Sequence, residues 1–111
     1  MDKQVIKETL AHWDRMIAFA ENFLFDNITF FRHSIKKKTG EFWSANFCPL
    51  CKFYINITYG CSNCILYKKY DECSSANDKN RWYSVDKSRT VTEWIENANA
   101  FRKQIESLLE D

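Results

Sequence analysis

Apolar residues recur at alternating three- and four-residue steps along the first part of the chain: Ile6, Leu10, Trp13, Ile17, Ala20, Leu24, Ile28 and Phe31. That spacing lines one stripe of an α-helix and predicts a long amphipathic helix over residues 1–31. Asp2 is the expected N-cap, placing negative charge at the positive end of the helix dipole. Phe19, Phe23, Phe25 and Phe30 lie beside the stripe and widen the apolar surface beyond one face. This surplus is expected to be buried on both sides, against a second helix and the centre of the protein. Asp26-Asn27 is where the helix is expected to bend or end.

The last segment repeats the pattern with a clear start. Thr90-Val91-Thr92-Glu93 fits a capping box, in which a hydroxyl and a carboxylate satisfy orphan amides of the first turn. Val91, Trp94, Ala98, Phe101, Ile105 and Leu108 then hold the helical spacing, while Glu96, Asn99, Arg102, Lys103 and Glu106 form the polar face. A second helix is expected over 90–110.

Between the helices the chain changes character. Lys36-Lys37-Lys38-Thr39-Gly40 reads as a basic turn and linker, Phe53–Gly60 as a short β-branched and aromatic hairpin, and Ser74–Asn80 as a polar loop. The predicted fold is mainly α: one domain over 1–111, with two long antiparallel helices flanking a small hairpin-containing module over 42–89. The helix stripes are core positions and receive no functional role.

All five cysteines fall in that module, as Cys48-Pro-Leu-Cys51, nine residues, Cys61-Ser-Asn-Cys64, and then Cys73. A Cys-x2-Cys turn points two sulfurs at one point, and two such turns facing each other make a tetrahedral four-thiolate site. One structural Zn2+ on Cys48, Cys51, Cys61 and Cys64 is the expected arrangement, with Cys73 as the substitute ligand. Thiolates also suit iron–sulfur centres, so geometry alone does not separate the two metals. His33 is a possible further ligand, and His12, next to the apolar Trp13, reads as structural. A disulfide framework needs an oxidising compartment. The opening Met1-Asp2-Lys3-Gln4-Val5 has no secretory pattern, and the odd cysteine count suits such a framework poorly. No run approaches about 18 apolar residues, so no membrane span is expected, and the expected location is the cytoplasm.

Charge is distributed unevenly. Residues 32–89 carry a net +6, whereas 1–31 carry −2 and 90–111 carry −3, giving +1 overall. The basic centre is either neutralised by its flanks or available to an anionic partner. Lys36, Lys37, Lys38, Lys68, Lys69, Arg81, Lys87 and Arg89, interleaved with Tyr54, Tyr59, Tyr67, Trp82 and Tyr83, could pair with phosphates and stack on bases. Trp82 and Tyr83 fall outside both stripes and are the expected anchors if the partner is a protein. Nothing points to an enzyme or to a small-molecule substrate. An all-thiolate zinc is closed to water, and no phosphate-cradling loop, nucleophile elbow or His-Glu-x-x-His run is present.

His12-Trp13, Cys48-Pro-Leu-Cys51-Lys52, Cys61-Ser-Asn-Cys64-Ile65-Leu66, Cys73 and Trp82 together resemble a group of small cysteine-rich bacteriophage and prophage proteins with no established activity. The resemblance spans most of the chain. It departs at Cys64-Ile65, where such proteins often carry Cys-Pro, and at Arg81-Trp82, where they carry Pro before the aromatic. It implies a phage accessory protein in the bacterial cytoplasm that binds and modulates a host protein, as an inhibitor of the host-takeover or counter-defence type. Trp43, Asn56 and the two cysteine pairs also look somewhat like a Ran-binding-type zinc finger, which binds single-stranded RNA or ubiquitin. Trp43 stands further from the first cysteine than that family places its tryptophan.

Overall fold

The computed structural model describes residues 3–43 and 81–110. Its elements are α1 (Lys3–Glu21), α2 (Ile28–Thr39), α3 (Trp82–Asp86) and α4 (Val91–Ser107), closed by a 3-10 turn at Leu108–Glu110. The described residues are mainly helical, with no strand among them. The cysteines, the hairpin, the polar loop and Asp2 lie outside the described residues.

The α1 stripe packs as its spacing requires. Ile6, Leu10, Trp13, Ile17 and Ala20 are buried, with Thr9, His12 and Met16 forming a second buried row beside them. Thr9 is accommodated because its hydroxyl donates back to the Val5 carbonyl at 2.8 Å. The partner is α4, whose Val91, Trp94, Ala98, Phe101 and Ile105 are buried. The two helices run antiparallel: Asp14 on α1 bonds Arg102 on α4, and Asp26, beyond the end of α1, bonds Thr92 at the start of α4.

The first helix does not continue to residue 31. It ends at Glu21, and the chain passes through an irregular stretch before α2 begins at Ile28. Two asparagines account for the break. The Asn22 side chain donates to the Ala18 carbonyl at 2.9 Å. Asn27 is extended, with φ −110° and ψ 108°, and its carbonyl oxygen accepts from the Phe30 amide at 3.0 Å. Local side-chain bonds of this kind compete with the helix ladder and favour caps. The adjacent Asp26 accepts from the Thr92 amide at 3.0 Å, while Thr90 accepts from the Glu93 amide at 3.0 Å. The two residues thus cap different helices, and the first turn of α4 is satisfied from two directions.

The supposed basic linker is helical. Lys36, Lys37 and Lys38 form the last turn of α2, where cations offset the negative end of the dipole. Gly40 closes the helix at φ 72°, its amide donating to the Lys36 carbonyl at 3.1 Å. A Cβ built at Gly40 meets no atom within 4 Å, so substitution is opposed by backbone conformation alone. Gly40→Ala is expected to cost about 1 kcal/mol, read as a lower urea midpoint at unchanged slope. A neutral or stabilising change would show that the left-handed cap is not populated in solution.

Large aromatics form the centre of the core. Trp13 stacks on Trp94 with ring centroids 6.2 Å apart and meets Phe101 edge-on at 5.0 Å. Phe31 from α2 meets Trp94 at 4.9 Å, and Trp43 meets it at 5.2 Å. Val85 of α3 is fully buried, and the Asn97 amide on α4 donates to the Ser84 carbonyl and the Ser88 hydroxyl at 3.1 and 3.0 Å. Trp43 and α3, expected within the central module, therefore belong to the helical body.

Candidate interaction surface

The chain leaves the described body at Trp43 and returns at Arg81, and these two points are bonded together. The Trp82 indole N–H donates to the Trp43 carbonyl at 2.8 Å. The Trp43 indole N–H in turn donates to the Asp86 carboxylate at 3.2 Å. Arg32 of α2 sits over the Trp43 ring at 5.3 Å and donates to the Asp86 backbone carbonyl, with its second nitrogen 3.7 Å from the carboxylate. The Arg81 amide is held by the Gln104 side chain at 2.9 Å. Residues 44–80 are thus an insert with a fastened base.

That base changes the reading of two predicted contact residues. Trp82 is half-buried with its N–H committed to Trp43, and Tyr83 is half-buried with the Lys87 ammonium 5.7 Å from its ring centroid. Trp82 ties α3 to the base, whereas the Tyr83 contact is local to α3 and its end. Arg81 and Lys36–Lys38 are exposed, and the Lys36 ammonium lies 5.9 Å from the Phe42 ring centroid. Lys68, Lys69 and the predicted ligands Cys48, Cys51, Cys61, Cys64 and Cys73 fall outside the described residues. Among the described residues no group of three or more His, Cys, Asp or Glu side chains could hold a metal ion. No helix among them is long and apolar enough to cross a membrane.

Beside the base, His12 is 1% exposed and its Nδ1 contacts the Glu41 carboxylate. Arg15 donates to the other Glu41 oxygen at 2.6 Å. Burial holds the His12 imidazole below its ordinary pKa, against the opposing pull of Glu41. Burial alone would raise the Glu41 carboxyl, but hydrogen bonds from Arg15 and His12 hold it below the usual carboxylate range. A neutral imidazole donating from Nδ1 to an ionised carboxylate satisfies both directions. The Nε2 atom is then an acceptor. It is buried and has no hydrogen-bond partner. His12 reads as structural from its neighbours in sequence because its partner is 29 positions away. His33, by contrast, is exposed.

The surface that sequence reasoning missed is the α1–α2 corner. The phenylalanines beside the first stripe were expected to be buried on both sides. Instead they form a ladder running outward from the core. Phe31 is buried; Phe23 packs on it at 5.4 Å and on Phe30 at 5.6 Å, and Phe25 meets Phe30 at 6.1 Å. The outer rungs reach solvent, with Phe30 49%, Phe25 62% and Leu24 89% exposed. Leu24 was expected in the stripe, and the loss of helical geometry after Glu21 turns it outward. Single exposed apolar residues are ordinary, but three adjacent ones backed by packed rings form a contiguous patch of the kind that marks contact sites. The signal available in sequence was the surplus of phenylalanines together with the Asn-rich break.

The chain matches no protein-family model, no curated protein and no solved structure.

Proposed function

We propose that this chain is a non-enzymatic binding protein: a helical body, stapled by one structural zinc in its insert, that presents an aromatic corner to another protein. The observation that carries this reading is the exposure of Leu24, Phe25 and Phe30 on rings anchored in the core. Interface energy concentrates in well-supported apolar and aromatic anchors, and a rigid base reduces the ordering cost of using them. Cys48, Cys51, Cys61 and Cys64 are the proposed zinc ligands, with Cys73 as the substitute. The resemblance to phage proteins makes a host protein the proposed partner, and modulation of that protein the proposed outcome. Trp82 and Tyr83 are the secondary contact candidates. The nucleic-acid reading is weaker, because Lys36–Lys38 already answer the end of α2.

A photo-cross-linking side chain placed at position 25 should trap a host protein that survives nuclease treatment. Leu24→Ser with Phe25→Ser should weaken that complex by about 30-fold or more. The same change should move folding stability by no more than about 0.5 kcal/mol, as exposed side chains do. Unchanged binding by the folded double variant would remove this corner from the contact. Steeply salt-dependent binding of short single-stranded oligonucleotides would favour the nucleic-acid reading instead.

A further inference from the structure

The aromatic corner carries a charge that its rings do not dictate. From Met16 to Phe31 the chain has two acids, Glu21 and Asp26, and neither lysine nor arginine. Both acids are exposed, and they flank Leu24 and Phe25 in sequence. The helix end at this point adds to them. α1 stops at Glu21 with no basic residue in its last turn, so its negative pole meets a further carboxylate instead of a cation. The Asn22 amide answers one carbonyl there, that of Ala18. α2 ends the opposite way, with three lysines in its last turn. The bond from the Thr92 amide to Asp26 sets the first turn of α4 against the corner, and that turn brings the exposed Glu93. The neighbouring cations lead elsewhere: Arg32 is committed to Trp43 and Asp86, and Lys36–Lys38 occupy the far end of α2. Arg89, before the Thr90 cap, leaves three carboxylates against one guanidinium.

We infer that the corner receives a protein segment in which large apolar side chains are flanked by lysine or arginine. The inference rests on the interaction reading above and names the chemistry of the partner. Leu24, Phe25 and Phe30 supply the centre that loses its water, with Phe25 and Phe30 edge to face at 6.1 Å. Glu21, Asp26 and Glu93 supply a charged rim. Complementary charge at a rim steers encounter and rejects wrong partners more than it adds affinity. A cation placed over the end of α1 gains from the Glu21 carboxylate and the helix dipole together. A nucleic-acid backbone or an acidic segment brought to the same rings meets like charge.

Fluorescence anisotropy of labelled synthetic peptides, titrated with the reduced full-length protein, tests the sign of the partner. Two amphipathic peptides share one leucine pattern, with lysine at the polar positions of the first and glutamate at those of the second. A third keeps the lysines and replaces leucine by serine. The lysine–leucine peptide should bind about 10-fold or more tightly than the glutamate–leucine peptide at low salt, and the gap should narrow near about 0.5 M salt. The serine peptide should not bind. Glu21→Lys places a cation at the end of α1, so the melt should hold or rise. The same change should weaken the lysine–leucine peptide about 3–10-fold and strengthen the glutamate–leucine one. Leu24→Ser with Phe25→Ser should remove binding of both. Equal binding of the two leucine peptides, or an unchanged preference in folded Glu21→Lys, would overturn the inference and leave the corner standing as a contact site. Lysine–leucine binding that survives Leu24→Ser with Phe25→Ser would lie elsewhere and overturn it here. Binding of neither leucine peptide would also overturn it, and cross-linking from position 25 would still decide the corner itself.

Discussion

On the zinc reading proposed above, stripping the metal from the reduced protein will remove most of its folding stability, and Cys48→Ser or Cys64→Ser will do the same. The free energy of binding at a structural zinc is folding free energy, of the order of 10–16 kcal/mol in small zinc-dependent folds. A domain this size has about 5–15 kcal/mol in total. Loss need not stay local, because the insert is fastened to the core at its base through Trp43 and Trp82. Closing a chain segment as long as 44–80 costs about 3 kcal/mol in chain entropy, and without metal the base contacts alone must supply it. Thermal melting followed by circular dichroism should show a large drop in Tm with chelator, reversed by one equivalent of zinc. An unchanged melt in protein shown to be metal-free would mean that the helical body stands without the staple. If Cys73 lies outside the donor set, Cys73→Ser should keep the metal and cost no more than about 1–2 kcal/mol.

Trp94→Ala will cost about 3–5 kcal/mol, the usual range for truncating a buried Trp or Phe. Trp94 is fully buried and touches Trp13 on α1, Phe31 on α2 and Trp43 at the base of the insert. Rings of this size leave a cavity that helices packed on three sides cannot close. Urea denaturation should therefore show a lower midpoint and early loss of the Trp43 environment. Trp94→Phe should be far milder. It keeps most of the ring contacts and removes an indole N–H that is buried without a partner, a group that costs about 1–3 kcal/mol where it stands. If Trp94→Ala costs less than about 1 kcal/mol, the aromatic cluster does not hold the helices together.

The helix faces were legible because burial follows a 3.6-residue period, and Ile6, Leu10, Trp13, Trp94, Ala98 and Phe101 could be placed from spacing alone. The Thr90 cap was equally local. Three features escaped for distinct reasons. The break after Glu21 was masked because Leu24, Ile28 and Phe31 fall in register with the α1 stripe by coincidence of spacing. Asp26-Asn27, expected as a bend or an end, marked the break, and the two residues cap different helices. Lys36–Gly40 looked like a turn by composition, although cations followed by glycine are equally the signature of a helix end. The contacts that define the base, Trp43 with Trp82 and Glu41 with His12, join residues far apart in sequence and carry no local trace. Of the candidate site, the cysteine spacing was readable. The exposed aromatic corner was not, because phenylalanine content shows how much apolar surface exists and not which part of it remains uncovered.

The central claim, a metal-stapled helical body, is tested most directly by native mass spectrometry of the reduced full-length chain. The account predicts one species, the chain plus a single zinc, with the mass deficit of thiolate protons displaced by the metal. A chain of unmodified mass, carrying five free thiols and melting cooperatively in that state, would contradict it.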